Sequence, residues 1–252
     1  IGVVAGHYGE ALRGLDLRFS RRNGRVRSFS LNAKIGRDTA LIGDMRNRVA
    51  SGRPVLYFET SDAGALFRFT DVYPRMSGGK IRVVMDPPTQ HAAPQGGLIN
   101  IRDFAIRGEG AVDRVVTNAP TDTRDAIEFS QARAEFTRTP GRTTIRDGVV
   151  KGPVIGATME GLIDYARNEV NVRGTLVPLY GLNNMFGKIP LVGLFLGGGS
   201  NEGLVGINYE ASGTPVAPRI RINPISGVPP GLLRKLIPGP GSADPNYIPP
   251  TR

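Results

Sequence analysis

Apolar and polar side chains alternate one by one through long parts of this chain, and no other feature constrains its fold as much. Leu15, Leu17 and Phe19 alternate with Asp16, Arg18 and Ser20. Phe29, Leu31, Ala33 and Ile35 then alternate with Ser30, Asn32 and Lys34. A period of two belongs to a strand with one apolar face. Between the two runs stands Asn23-Gly24, a dipeptide suited to the left-handed conformations of a tight hairpin turn.

The same reading extends down the chain. Residues 39–48 and 54–60 form a second strand pair, joined through Ala50-Ser51-Gly52. Residues 80–85 are a strand that Asp86-Pro87-Pro88 stops. Residues 98–107 are a strand whose apolar phase shifts between Ile101 and Phe104, which implies a bulge. A meander follows over 132–139, 142–150, 155–166 and 169–177, with turns at Pro140-Gly141, near Gly152-Pro153 and at Arg167-Asn168. Two further strands lie at 203–212 and 219–223. One stretch has a helical period instead: Ser61 or Asp62 caps a helix over 63–73, with Leu66, Phe69 and Tyr73 on one face. A second short apolar helix is expected at 231–237. The class is mainly β, an antiparallel sheet with a few short helices. Its parts are N-terminal hairpin strands at 1–60, a larger unit at 61–237 and a Pro-rich tail at 238–252.

Residues 174–195, GTLVPLYGLNNMFGKIPLVGLF, interrupt the alternation. Pro178, Gly187, Pro190 and Gly193 cannot all sit inside one helix or one central strand. The stretch reads as an apolar turn region closing the sheet, with Leu179, Met185, Phe186, Leu191, Leu194 and Phe195 as an apolar cap. Its only charge is Lys188. Two roles fit: a plug for a hydrophobic core, or a surface that meets lipid.

Composition narrows the function. The 252 residues carry no Cys and two His, so a thiolate site, a disulfide framework and a histidine-rich metal site are excluded. His91 falls in a loop, and the acidic pair Asp122 and Asp125 lies in or near loops, without the scaffold a glycosidase pair needs. Gly197–Gly199 has no following Lys-Ser/Thr and no strand-turn-helix context, so it reads as a flexible turn. No nucleophile, dinucleotide or metalloprotease motif is present. The expectation is a protein without catalytic residues, cofactor or metal. The net charge of +10 points to nucleic acid or anionic lipid. Arg18, Arg21, Arg22, Arg25 and Arg27 crowd one hairpin, but Phe19 and Phe29 stand in the apolar phase rather than among the arginines. That disfavours nucleic acid. No run of 18 apolar residues spans a membrane. The start, without Met or a leader pattern, reads as a cut from something longer.

Two stretches carry a resemblance. SDAGALFRFTDVYPRMSGGKIRV at 61–83 resembles the Asp-Ala-Gly, hydrophobic helix, Gly-Gly element of the AsmA-like proteins. The C-terminal block resembles the end of the same group, through Val177-Pro178, Ile189-Pro190-Leu191-Val192-Gly193, Asn208-Tyr209-Glu210, Asn223-Pro224 and Pro230-Gly231-Leu232-Leu233-Arg234. The likeness is to the AsmA-like C-terminal region of the YhdP/TamB/AsmA superfamily of Gram-negative envelope proteins, and it covers about 54–237. Asp86-Pro87-Pro88 departs from the pattern where a strand would continue.

The resemblance implies a sheet curled into an open, taco-like groove or half-barrel. It also implies a periplasmic location with an N-terminal inner-membrane anchor, and transport of phospholipid between the inner and outer membranes in support of outer-membrane integrity. The residues expected to line the groove are Leu15, Leu17, Phe19, Phe29, Leu31, Ile145, Val149, Leu162 and Val172. The expected partners are phospholipid acyl chains, with anionic headgroups at the Arg-rich rim and an envelope protein as a further candidate. The alternative is a closed β-sandwich that serves as a structural or partner-binding domain in outer-membrane assembly.

Overall fold

A computed structural model describes residues 1–48, 51–89, 93–108, 126–178, 207–215 and 217–224. It is one open antiparallel sheet of 13 strands in sequential order, not closed into a barrel. The strands are β1 Val3–Ala5, β2 Ala11–Arg22, β3 Arg25–Ile35, β4 Thr39–Asn47, β5 Pro54–Thr60, β6 Met76–Met85 and β7 Gln95–Ile106. They continue as β8 Ile127–Thr139, β9 Arg142–Lys151, β10 Ile155–Asp164, β11 Glu169–Pro178, β12 Ile207–Thr214 and β13 Ala217–Pro224. Each strand pairs with the next, so the whole sheet is a meander. It continues from β5 to β6, which pair in register across the connection at 61–75. The expected helix at 231–237 and the tail at 238–252 lie outside the described residues.

The turn chemistry follows the sequence. Asn23 and Gly24 take φ of 53° and 73°, as a two-residue turn of the type I′ class requires. Asn168 and Gly141 are also left-handed at their turns. The phase shift between Ile101 and Phe104 is present as a kink at Asp103, φ 53°, opposite Gly79, φ 90°. Register on both sides is kept, and Ile101 and Phe104 join one hydrophobic cluster.

The single helix among the described residues is α1, Ala63–Phe69, between β5 and β6. Asp62 caps it, its side chain accepting from the Ala65 N–H at 2.9 Å. The helix is shorter than the 63–73 expected. Asp71 takes φ 55°, and the Val72 and Asp71 N–H groups donate to the Phe67 and Arg68 carbonyls. That is a Schellman ending, with Asp where Gly is usual, so no glycine marks it in the sequence. Ala63 packs on Ile81, Ile101 and Phe104, and Ala65 on Leu12, Ala33, Ile35 and Leu41. Gly64 lets the helix approach closely: an added Cβ would lie 2.6 Å from the Met76 carbonyl oxygen. Arg68 ties the helix to the first hairpin by donating to Glu10 at 2.7 and 2.9 Å.

Candidate functional site

Residues directly opposite on neighbouring strands share a face, so the register can be followed across the sheet. One rung runs Ala33, Leu41, Thr60, Ile81, Ile101, Ala132, Val150, Ala157, Leu176, Ile207. A parallel rung runs Met45, Leu56, Met85, Gly97, Phe136, Ile145, Gly161, Val172, Ala211, Ile220. Between them lie Leu17, Leu31, Gly43, Phe58, Val83, Ile99 and Ala134. None of these positions is charged. At about 4.8 Å per strand, the first rung follows a contour on the order of 40 Å. Helix α1 covers only part of this wall. Ile81 and Ile101 near the helix are buried, while Leu31, Val83, Ile99 and Met159 are half-buried.

Glycines shape the wall. Gly43 pairs with Phe58, Gly97 with Phe136, Gly148 with Met159 and Gly174 with Tyr209. In each pair the large side chain lies over the bare glycine backbone. An added Cβ would fall 2.3 Å from the Phe136 ring at Gly97 and 2.2 Å from Met159 at Gly148. Tyr209 crosses Gly174 and donates its hydroxyl to the Thr158 carbonyl at 2.9 Å, and burial pushes its phenol pKa up. Large groups laid flat over glycine leave a low-relief apolar surface. Sequence reasoning read Gly mainly as turn punctuation and missed this. The signal was there, in glycines that keep the apolar phase inside a strand.

The opposite face is polar along the rung Asn32, Ile42, Glu59, Arg82, Asn100, Arg133, Val149 and Thr158. Here Lys80 and Arg82 hold Glu59 at 3.0 and 3.4 Å, and the Tyr57 hydroxyl donates to it. Burial pushes the Glu59 carboxyl up, but these partners outweigh it and hold it below the usual carboxylate range. Burial and the same hydrogen bond raise the Tyr57 phenol to about 12. Arg46 stacks 3.5 Å over the Tyr57 ring.

Of the residues expected to line a groove, Leu17, Phe19, Phe29, Leu31, Ile145 and Val172 stand on the apolar face by register. Leu15 packs with the cluster around Leu12 and Ile35. Val149 and Leu162 are corrections. Asp147, φ 47°, is an extra residue in β9 that reverses the phase, so Ile145 faces the wall while Val149 pairs with Arg133 and Thr158 on the polar face. Leu162 pairs with Thr144 and Asn171, one step out of phase with Gly161, and is also on the polar face. Val150, Ala157 and Met159 take their places. The wall opens toward β2, where Leu17 is 52% and Phe19 54% exposed. Arg18, Arg21, Arg22, Arg25 and Arg27 are exposed along the same hairpin. The apolar cap, Leu179, Met185, Phe186, Leu191, Leu194 and Phe195, lies outside the described residues, as do His91, Asp122 and Asp125.

A cleft of about 840 Å³ opens near β9–β13, lined by Thr158, Glu160, Arg173, Asn208, Glu210 and Arg221 beside Met159 and Tyr209. Its charges are partly used internally, since Arg173 pairs with Glu160 at 2.8 Å. His7 is exposed and stands 4.0 Å from Asp71. Among the described residues, the most extended arrangement of one chemical character is the apolar wall. Comparison with protein-family models, with curated proteins and with solved structures returns no match.

Proposed function

We propose that this chain is a non-enzymatic segment of a bridge-like envelope protein that conducts phospholipid through an apolar groove between the inner and outer membranes. The observation that carries the reading is the charge-free wall of parallel rungs, continuous over most of the sheet and, among the described residues, roofed by one helix of seven residues. Burial of hydrocarbon contributes about 0.8 kcal/mol per CH₂ and has no directional requirement. A wall of that kind holds an acyl chain without fixing it at any one rung, and displacement from rung to rung costs little. Glycine-flattened aromatics lower the relief further. The headgroup would stay at the strand ends, near the arginines of the β2–β3 hairpin. In this reading the protein works in the periplasm, with an inner-membrane anchor upstream.

Organic extraction of the purified protein, followed by mass spectrometry of the extract, tests the reading. Diacyl phospholipid at or above equimolar amounts is the expected result. A lipid-free protein that also takes up none from vesicles would favour the alternative, a structural or partner-binding domain of outer-membrane assembly, with a partner protein on the wall.

A further inference from the structure

The polar face carries a second feature that the groove does not use. Four adjacent strands, β6–β9, place Lys80 opposite Arg102, Arg102 opposite Gln131 and Gln131 opposite Lys151. Two residues along, Arg82 is opposite Asn100 and Asn100 opposite Arg133. Five cations thus share one patch, and Glu59, across from Arg82, is the carboxylate in register with them. Like charges directly opposite on paired strands destabilise a sheet. Lys80 and Arg102 are such a pair. Glu59 is already engaged by Lys80, Arg82 and Tyr57. Among the described residues, neither Arg102 nor Lys151 makes an ion pair. Asn100 Oδ1 is buried without a hydrogen-bond partner. Arg102 is exposed, and the patch shows no exposed aromatic, the neighbouring Tyr57 being 2% exposed.

We infer that this patch, centred on Lys80, Arg102 and Lys151, is a docking surface for an anionic phospholipid bilayer. The choice of bilayer over nucleic acid rests on the lipid reading above and on the absence of a stacking platform for bases. A leaflet rich in anionic headgroups meets point charges and needs no pocket. Each cation near such a surface strengthens adsorption by roughly fivefold at physiological ionic strength. The patch lies on the side of the sheet away from the apolar wall, so a protein adsorbed through it keeps the wall free.

Vesicle flotation of the whole chain tests this, with phosphatidylcholine vesicles containing one quarter phosphatidylglycerol against pure phosphatidylcholine. The double variant Arg102→Gln/Lys151→Gln is compared with Arg37→Gln/Arg53→Gln, which removes the same charge at two exposed turns outside both the wall and the patch. The patch variant is expected to lose about 25-fold in partitioning onto anionic vesicles, two cations at roughly fivefold each. The turn variant should lose less than about threefold, and 0.5 M salt should abolish wild-type binding. Equal losses in both variants, or wild-type binding by the patch variant, would overturn the proposal. So would a patch variant that keeps the vesicles and loses a DNA duplex. A thermal melt checks that both variants fold. Acyl lipid extracted from the same preparations reports separately on the groove, so its absence counts against the conduit and leaves the vesicle result to judge the patch.

Discussion

Phe29 and Phe58 meet with ring centroids 5.2 Å apart, on strands that are not neighbours, because Gly43 on the strand between them has no side chain. An added Cβ at Gly43 would stand 3.0 Å from each ring and 3.3 Å from Leu31 Cβ. The aromatic contact and the glycine are one device, and it continues the wall from the exposed Phe19, which pairs with Phe29, into the sheet.

Gly43→Val is therefore expected to overpack this point and destabilise the protein by about 1–3 kcal/mol. Gly43→Ala should cost less, since the rings need yield by only a few tenths of an ångström. Urea unfolding followed by circular dichroism measures both. A valine variant as stable as wild type would show that the rings are not held in place.

The two faces should respond oppositely to charge. Val172, 9% exposed on the wall, has no polar partner across from it at Gly161 or Ala211. Val172→Arg is expected to lower stability by several kcal/mol, because it strands a charge among apolar groups. Leu162→Arg, ten residues away and 37% exposed on the polar face, should change it by less than about 0.5 kcal/mol. Comparable urea midpoints for the two variants would contradict the assignment of faces.

Acid should act through two carboxyls. Burial pushes Asp164 up, but the Arg167 N–H at 3.1 Å and the Arg142 guanidinium at 2.8 Å outweigh it and hold it below its ordinary 3.8. Glu59 is likewise held below its ordinary 4.5. A carboxyl depressed on folding contributes stability above its unfolded pKa and loses it as pH falls toward the folded value. Melting temperature should then be insensitive to these groups above about pH 5 and fall below pH 4.5. Asp164→Asn should be less stable than wild type at pH 7 and should shrink the difference as pH drops. A constant difference from pH 7 to pH 3 would show that Asp164 does not titrate as described.

Much of the sheet was legible because its two signals are local. Alternation gave strand existence and phase, and Asn23-Gly24, Pro140-Gly141 and Arg167-Asn168 gave the turns. The errors came where the backbone changes phase without announcing it. Asp147 in a left-handed conformation turned Val149 to the polar face, and Asp71 ended α1 early. An aspartate tolerates positive φ, but nothing in one sequence distinguishes these two from aspartates in ordinary extended backbone. The charge patch on β6–β9 was also hidden. Lys80, Arg102 and Lys151 are far apart in sequence, and only the register of three strand pairs brings them together.

The central claim, that hydrocarbon travels along one face of the sheet, is tested most directly at Ile99 and Asn100. They are consecutive in β7 and face opposite sides: Ile99 lies between Val83 and Ala134 on the wall, and Asn100 between Arg82 and Arg133. A photoreactive side chain is placed at each position in turn, and the protein is irradiated with phospholipid vesicles and analysed by mass spectrometry. Phospholipid adducts at position 99 and none at position 100 are expected. Equal adducts at both positions, or none at 99 in a protein that melts like wild type, would contradict it.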